Sequence, residues 1–409
     1  MNNDQPDIYE VERLVKFCKK YVKIFVINEN DSAFNKLEKY FNMIGINVSG
    51  TIQEKDFLND NLKLTKNDGI IFCGVDKNIT KYKNLKKKRN VFWLTQFSTR
   101  NICYKMTPRS KENFWLEVNL ADHCNLNCQM CDHFSPIADP TFMNLNTFEK
   151  DMSRLADLMQ HEMGIIKLQG GEPLLNPNVV EYMRISRELF PESIIWLFTD
   201  GILLLNEKSY GSDDFWMELH KYNIEIQLTV YPIKINLDKI MEKAKKFDVK
   251  VTAFYEVGDR SKKEEKRSVK HPMKIEKNCE SYQFVGCYQF NESIALNNGK
   301  IYTCPMIPYI KHLNKYFETQ FEVTQNDYID IYSANSYEEI AEFCTTRIPF
   351  CGYCFVKGRR SYKWKQSKHN KDEWLINKKD ELYAWLMYMG RRTGLYNLSW
   401  LRKLMRRFL

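Results

Sequence analysis

No stretch of this 409-residue chain approaches the roughly twenty consecutive apolar residues that span a bilayer. Its first ten residues, MNNDQPDIYE, are polar and acidic and lack the charged start and apolar run of a secretory signal. The expectation is a cytoplasmic protein. There is no internal repeat, so nothing points to a repeat array. After the first strand-like run comes NENDS (28–32), where a dinucleotide-binding unit would carry a glycine-rich turn to bring backbone amides close to a pyrophosphate. Without that fingerprint, structural or substrate-presenting work is preferred over cofactor binding for the first hundred residues.

What is present is a chain too long for one ordinary domain, with 44% hydrophobic residues to build a sizeable core. Two or three domains are expected. A formal charge of +9 favours acidic partners such as phosphorylated substrates, anionic lipid surfaces or a small acidic electron donor; its plainer reading is solubility. Twelve cysteines in a reducing compartment do not read as a disulfide framework. Seven of them fall into clustered spacings that suggest metal ligation.

Strand-like runs at 21–27, 46–52, 69–75 and 90–94 alternate with polar helical stretches, which predicts a Rossmann-like accessory α/β domain over 1–105. The run KNLKKKRN (83–90) reads as a solvated linker or helix face, and no nucleic-acid partner is expected. From Phe114 the pattern becomes a regular βα series, FWLEVNL, IIKLQ, IIWLFT, IEIQLTV and VKVTAFY, with helices near 146–161, 178–189, 213–222 and 237–247. That series implies a parallel sheet, open or closed into a partial barrel, with its chemistry at the carboxyl ends of the strands. Residues 258–277 have mixed charge and no apolar period and read as an exposed loop.

In ADHCNLNCQMCDHF, Cys124, Cys128 and Cys131 follow the first core strand with three and then two residues between them. Three thiolates on one short loop can grip three corners of a cubane cluster, leaving the fourth iron without a protein ligand. That open iron can take a small chelating molecule, as catalytic metal sites keep an open position. The alternatives are three unrelated buried thiols, or zinc with His123 or His133 as fourth ligand. One strand later, LQGGEP places Gly170, Gly171, Glu172 and Pro173 in a turn. The glycines permit close backbone approach and Glu172 can accept from an ammonium group; alone, the element is equally a plain strand-to-helix turn.

Together these elements resemble the radical S-adenosylmethionine superfamily, over roughly residues 114–355. The resemblance implies a partial (βα)6 TIM-like barrel over 106–280. It also implies a catalytic 4Fe-4S cluster on Cys124, Cys128 and Cys131, whose open iron chelates the methionyl amine and carboxylate of S-adenosylmethionine. The GGEP element would contact that amine, Thr229 the ribose, and Met130, which stands where an aromatic residue is commoner, the adenine. Thr199, Asp200 and Gly201 occupy a turn that is usually Thr-Asn-Gly. For Thr199 and Thr229, ordinary strand-end hydrogen bonding is the competing reading.

A second set comprises Cys287, Cys304 and the C-G-Y-C pair Cys351 and Cys354, with Asn298-Gly299 predicting a hairpin turn just before Cys304. Four thiolates leave no open iron, which suits electron transfer or structural support; structural zinc is the rival. The set resembles the twitch domain, the shortened relative of SPASM, over 281–365, and implies a second, auxiliary 4Fe-4S cluster. Cys279 and Cys344 are undecided between ligand and buried thiol, and Cys18, Cys73 and Cys103 are read as core or surface thiols. Residues 366–409 are expected to form a basic amphipathic helical tail, whose Leu398, Leu401 and Phe408 would dock on another domain or make peripheral membrane contact.

The function implied by the resemblance is reductive cleavage of S-adenosylmethionine to a 5'-deoxyadenosyl radical, which abstracts hydrogen from a small molecule. A sugar or nucleotide sugar is the suggested substrate, since CDHFSPIAD, GGEPLLNP and NGKIYTCP look like a branch associated with sugar or surface-polysaccharide pathways. The outcome would be oxidation or rearrangement, the electron coming from a flavodoxin- or ferredoxin-type donor. The competing readings are modification of a peptide or protein side chain, and a non-catalytic scaffold that binds metal or S-adenosylmethionine.

Overall fold

The computed structural model describes residues 7–27, 31–58, 64–74, 90–254, 267–279 and 281–392. The amino-terminal region runs α1 (Ile8–Cys18), β1 (Lys23–Ile27), α2 (Asp31–Met43), β2 (Gly50–Ile52), α3 (Glu54–Leu58), β3 (Asp68–Cys73), β4 (Val91–Leu94) and α4 (Gln96–Lys105). Its strands form a parallel sheet in the order β2-β1-β3-β4. Every residue of β3 is buried, as a parallel strand covered on both faces should be. The strand expected at 46–52 shrinks to its last three residues. Gly45 (φ +77°) closes α2, and the Ile46 amide turns back to the Phe41 carbonyl at 2.8 Å, so the first half of that run serves as a helix terminus.

The central region begins with β5 (Trp115–Asn119), α5 (Leu145–Met159), β6 (Ile165–Gln169), α6 (Val179–Leu189), β7 (Ile194–Thr199), α7 (Asp213–Lys221), β8 (Ile224–Thr229), α8 (Leu237–Lys246) and β9 (Val251–Phe254). The helices start where short polar side chains cap them: Asn144 accepts from Thr147, Ser212 from Phe215 and Asn236 from Lys239. The two-residue period splits each strand. Leu116, Val118, Ile166, Leu168, Ile195, Leu197, Ile226 and Leu228 join one apolar core with α5, α6 and α7. Glu117, Lys167, Gln169 and Phe198 alternate with them and so occupy the opposite face, where Lys167 pairs with Glu117 at 2.8 Å.

The remaining elements are β10 (Arg267–Lys270), β11 (Ile294–Asn297), β12 (Lys300–Tyr302), α9 (Ile310–Phe317), β13 (Ile329–Asp330), α10 (Tyr337–Cys344), β14 (Arg360–Lys363) and α11 (Lys378–Arg392). The large sheet has eight strands in the order β13-β12-β11-β5-β6-β7-β8-β9. Strand β11 joins parallel to β5, and β12 turns back against it through Asn298 (φ +49°) and Gly299 (φ +70°), the left-handed pair that a tight hairpin turn requires. The fold is thus α/β, with parallel strands dominating both large sheets.

The exposed loop expected at 258–277 is corrected in its second half. Residues 267–270 pair antiparallel with β14, and Met273, 0% exposed, bridges both Cys354 and Leu375. Lys270 is buried because its partner, Asp380, lies on α11. The basic run at 83–89 and the tail residues 393–409, including Leu398, Leu401 and Phe408, lie outside the described residues. Among the described residues no helix is long and apolar enough to cross a membrane.

The amino-terminal core is continuous with the segment carrying the second cysteine set. Tyr282, Phe284, Val285 and Phe290 pack among residues of α1, α2 and β3, with Cys287 at the edge of that cluster. Buried Lys105, at the end of α4, donates to the Phe290 carbonyl at 2.7 Å and pairs with Glu292 at 2.6 Å. Residues up to Lys105 therefore brace the backbone on both sides of Cys287.

Candidate active site at the strand ends

The loop after β5 carries Cys124, Cys128 and Cys131 through two non-glycine residues in the left-handed region, Asn127 (φ +55°) and Met130 (φ +59°). These reversals let three thiols of one short loop face a common space. The GGEP turn after β6 is stitched to that loop: Gly171 N donates to Ala121 O at 2.8 Å and Glu172 N to His123 O at 3.1 Å. The approach leaves no room for a side chain, since a Cβ at Gly171 would lie 2.0 Å from the His123 carbonyl oxygen.

Glu172, 1% exposed, accepts from Leu174 N at 3.1 Å, from the Thr199 hydroxyl at 2.7 Å and from Asp200 N at 2.9 Å. Asp200 caps its own turn by accepting from Ile202 N at 2.9 Å, while its Oδ2 is buried with no hydrogen-bond partner. Burial, reinforced by the neighbouring Asp200 carboxylate, pushes Glu172 up to about 8, and burial pushes Asp200 up to about 6. Two buried carboxylates side by side, one with an orphaned oxygen, make a receptor for a cation.

A cavity of about 320 Å³ opens onto all of these groups: Cys124, Cys128, Met130, Cys131, Gly170, Gly171, Glu172, Thr199, Asp200 and Thr229 line it. Pro173 is outside the lining; it opens the single turn Pro173–Leu175 behind Glu172. Thr199 spends its hydroxyl on Glu172 and so positions that carboxylate. Thr229, at the end of β8, faces the cavity, and Gln227, two residues earlier, is buried behind it.

Cys287, Cys304 and Cys354 line a second, smaller cavity that shares Asp132, His271 and Tyr288 with the first. Cys351 joins them electrostatically: burial first, then Cys287, raises its thiol to about 12. Burial likewise holds Cys124, Cys304 and Cys354 well above the ordinary thiol range, so metal entry must displace the protons of these thiols. Cys344 is 1% exposed within the main apolar core and remote in kind from a ligand; Cys18 and Cys73 sit in the amino-terminal core, with Cys103 packed against it. Buried Cys279 contributes to the field at Cys354.

The spacing of the thiols bears on which metal they suit. A tetrahedral zinc with sulfur at about 2.3 Å brings its ligand atoms within roughly 4 Å of one another. Among the described residues, the one group of three or more His, Cys, Asp or Glu ligand atoms within 4.8 Å is Cys131, Asp132 and His133, which holds a single thiol. A cubane cluster holds its cysteine sulfurs more widely apart than a single zinc ion does. The three thiols, the two glycines and the paired carboxylates thus fit an iron-sulfur cluster beside a cofactor that carries an ammonium group.

Several cavity residues had no signature in the sequence. Tyr231, His271, Tyr288 and Trp364 come from four different segments, and Trp364 belongs to a basic stretch with no motif spacing. Its indole nitrogen donates to Cys128 Sγ at 3.0 Å, and that of Trp374 to Cys131 O at 2.7 Å. A lone tryptophan carries no sequence signal for such a role.

Residues 117–219 match the family described as a 4Fe-4S single cluster domain. The GTP 3',8-cyclase of Syntrophomonas wolfei is 27% identical over 185 residues, which cover 36% of this chain and 56% of that protein. The GTP 3',8-cyclase of Microcystis aeruginosa is 36% identical over 95 residues, 22% of this chain and 29% of its own. The chain thus spans about half the length of the first of these relatives and less of the other. The crystal structure of BtrN in complex with AdoMet and 2-DOIA aligns with 59% of this chain and 92% of its own at 15% identity, but its TM-score of 0.38 is too low to bear on fold or function. The matched span contains the cysteine loop and the GGEP turn, so the similarity to the 4Fe-4S single cluster family and to the GTP 3',8-cyclases falls on the two elements that carry the radical S-adenosylmethionine resemblance.

Proposed function

We propose that this protein cleaves S-adenosylmethionine reductively and takes a hydrogen atom from a small-molecule, sugar-derived substrate, with oxidation or rearrangement as the outcome. The observation that carries this reading is one cavity of about 320 Å³ shared by Cys124, Cys128, Cys131, Glu172 and Asp200. When bound, the cluster and the cofactor supply one-electron chemistry able to remove hydrogen from an unactivated carbon.

The protein's own part is to hold, orient and exclude water. Cys124, Cys128 and Cys131 would hold the cluster and leave one iron for the cofactor. Glu172 and Asp200 would receive its ammonium group, whose single charge offsets one of the two carboxylates and gives Asp200 Oδ2 a donor. The β10–β14 ribbon supplies Ser268 and Val269 to the cavity wall, and Tyr231 packs against Trp364 at 5.6 Å, so this side of the site is walled off from solvent. Gln169, Ser268, His271 and Tyr288 give its wall hydrogen-bonding groups suited to hydroxyls. Relatives named for cyclising GTP, a nucleotide containing a sugar, support the same substrate class.

Cys287, Cys304, Cys351 and Cys354 are proposed to hold an auxiliary cluster beside the substrate, positioned to accept an electron in a net oxidation. The parallel run from β11 through β5 to β9 is read as a partial (βα)6 barrel, and the amino-terminal sheet as an accessory domain. The test is anaerobic reconstitution, reduction and incubation with S-adenosylmethionine. 5'-Deoxyadenosine is expected from the wild type above a Cys124→Ala control; equal amounts from both would overturn the reading.

A further inference from the structure

The cysteine loop is gripped by a segment that arrives from the far side of the second cysteine set. Cys128 forms an antiparallel bridge with Gln366, Gln129 N donates to Lys365 O at 3.0 Å, and Ser367 N donates to Asn127 O at 2.7 Å. Gln129 Nε2 reaches Lys363 O at 2.7 Å, and the His369 ring meets Asn127 Oδ1 at 3.1 Å. The clamp continues directly from β14, whose Arg360 is anchored on buried Asp380. At its centre the partly buried Trp364 points its indole N–H at Cys128 Sγ, 3.0 Å away, with its ring held against Tyr231.

We propose that Trp364 is a positioning residue that tunes the catalytic cluster, its indole N–H donating to the Cys128 thiolate and stabilising the reduced, more negative form. The inference rests on the reading that Cys124, Cys128 and Cys131 hold that cluster. Hydrogen bonds to cluster sulfurs are among the determinants of its potential, and a donor favours whichever redox state carries more negative charge. The Leu126 N–H that faces Cys124 Sγ at 3.4 Å comes from the loop itself, whereas Trp364 is 236 residues away from Cys128, so the carboxy-terminal clamp controls this donor independently of the loop.

The experiment is a redox titration followed by paramagnetic resonance, using the change on adding S-adenosylmethionine to identify the signal of the open-iron cluster. Trp364→Phe keeps a ring against Tyr231 and removes the N–H. Its midpoint should move to more negative potential, lowering the reduced-to-oxidised ratio at the wild-type midpoint several-fold. Trp364→His, which keeps a ring N–H, should recover part of the shift. An unchanged midpoint in Trp364→Phe at full iron content would overturn the proposal. Should that variant fail to assemble its cluster, full-length wild-type protein labelled with ¹⁵N in the tryptophan indoles decides: hyperfine coupling of an indole nitrogen to the reduced cluster is expected, and its absence would also overturn it. Wild-type protein with no iron signal sensitive to S-adenosylmethionine would instead refute the cluster reading itself.

Discussion

Lys270 on β10 donates to Asp380 on α11 at 2.6 Å, with the two side chains only 1% and 0% exposed. The same carboxylate takes Arg360 of β14 at 2.7 Å, so one buried anion ties the β10–β14 ribbon to the last described helix. Replacing Asp380 by Ala would strip Lys270 and Arg360 of the buried carboxylate they share. The expected loss of stability is about 3–5 kcal/mol, the usual cost of breaking a buried pair from one side. Thermal or denaturant unfolding of the iron-loaded protein checks it. Because the ribbon runs on into the segment that clamps the cysteine loop, faster proteolysis around 360–370 should accompany the loss.

Glu172 and Asp200 predict opposite effects on the empty and the loaded protein. Both carboxyls are raised by burial, Glu172 to about 8 and Asp200 to about 6, above their values in an unfolded chain. A carboxyl raised on folding destabilises the native state increasingly as pH climbs from its unfolded value to its folded one. The cofactor-free protein should therefore lose stability between about pH 4 and pH 8. Asp200→Asn keeps an acceptor for Ile202 N and removes one charge. Without cofactor it should be more stable than wild type by about 1–3 kcal/mol at pH 8, a gain that shrinks toward pH 5. Its affinity for S-adenosylmethionine should fall roughly tenfold, as a charge-assisted bond is lost. Melting curves at two pH values and a binding titration read the two effects separately.

The two cysteine sets predict an iron count. Wild-type protein reconstituted without oxygen should hold roughly eight iron atoms per chain, two clusters of four. The Cys124, Cys128, Cys131→Ala triple variant and the Cys351, Cys354→Ala double variant should each hold roughly four. Cys344→Ala should leave the count unchanged, because that thiol is packed in the main core on α10. A double variant that still holds the wild-type amount of iron would show that the second set binds none.

The parts of the fold that were legible in the sequence are those whose cause is local. The βα series could be read because alternation along IIKLQ, IIWLFT and IEIQLT is set by the sheet itself, and the hairpin because Asn298 and Gly299 are the residues that tolerate positive φ. The cysteine loop and GGEP turn were legible because their chemistry lies in consecutive residues. What escaped depends on distant partners. Lys270 reads as a solvent-exposed charge until its partner 110 residues later is known, which is why β10 passed for an exposed loop. Trp364 likewise gains its meaning from a thiol 236 residues earlier. The local wall of the cavity was therefore predictable, and its cover was not.

The seam between the GGEP turn and the cysteine loop yields the sharpest test of why two glycines stand there. A Cβ at Gly170 would come within 2.5 Å of Ala121 O, and at Gly171 within 2.0 Å of His123 O, with 2.4 Å to the carbonyl carbon. These contacts are to backbone, and the backbone is held in place by the hydrogen bonds Gly171 N to Ala121 O and Glu172 N to His123 O, so it has little freedom to give. Gly171→Ala must therefore push the strand end away from the residue next to Cys124. The expected result is loss of the first cluster, with iron falling to roughly half, together with loss of S-adenosylmethionine binding. Pro173→Ala, outside the cavity lining, should keep its iron. If the glycines served only to let the cofactor approach the backbone, Gly171→Ala would retain all its iron and merely bind S-adenosylmethionine more weakly, so the iron content of this one variant separates a packing requirement from a binding one.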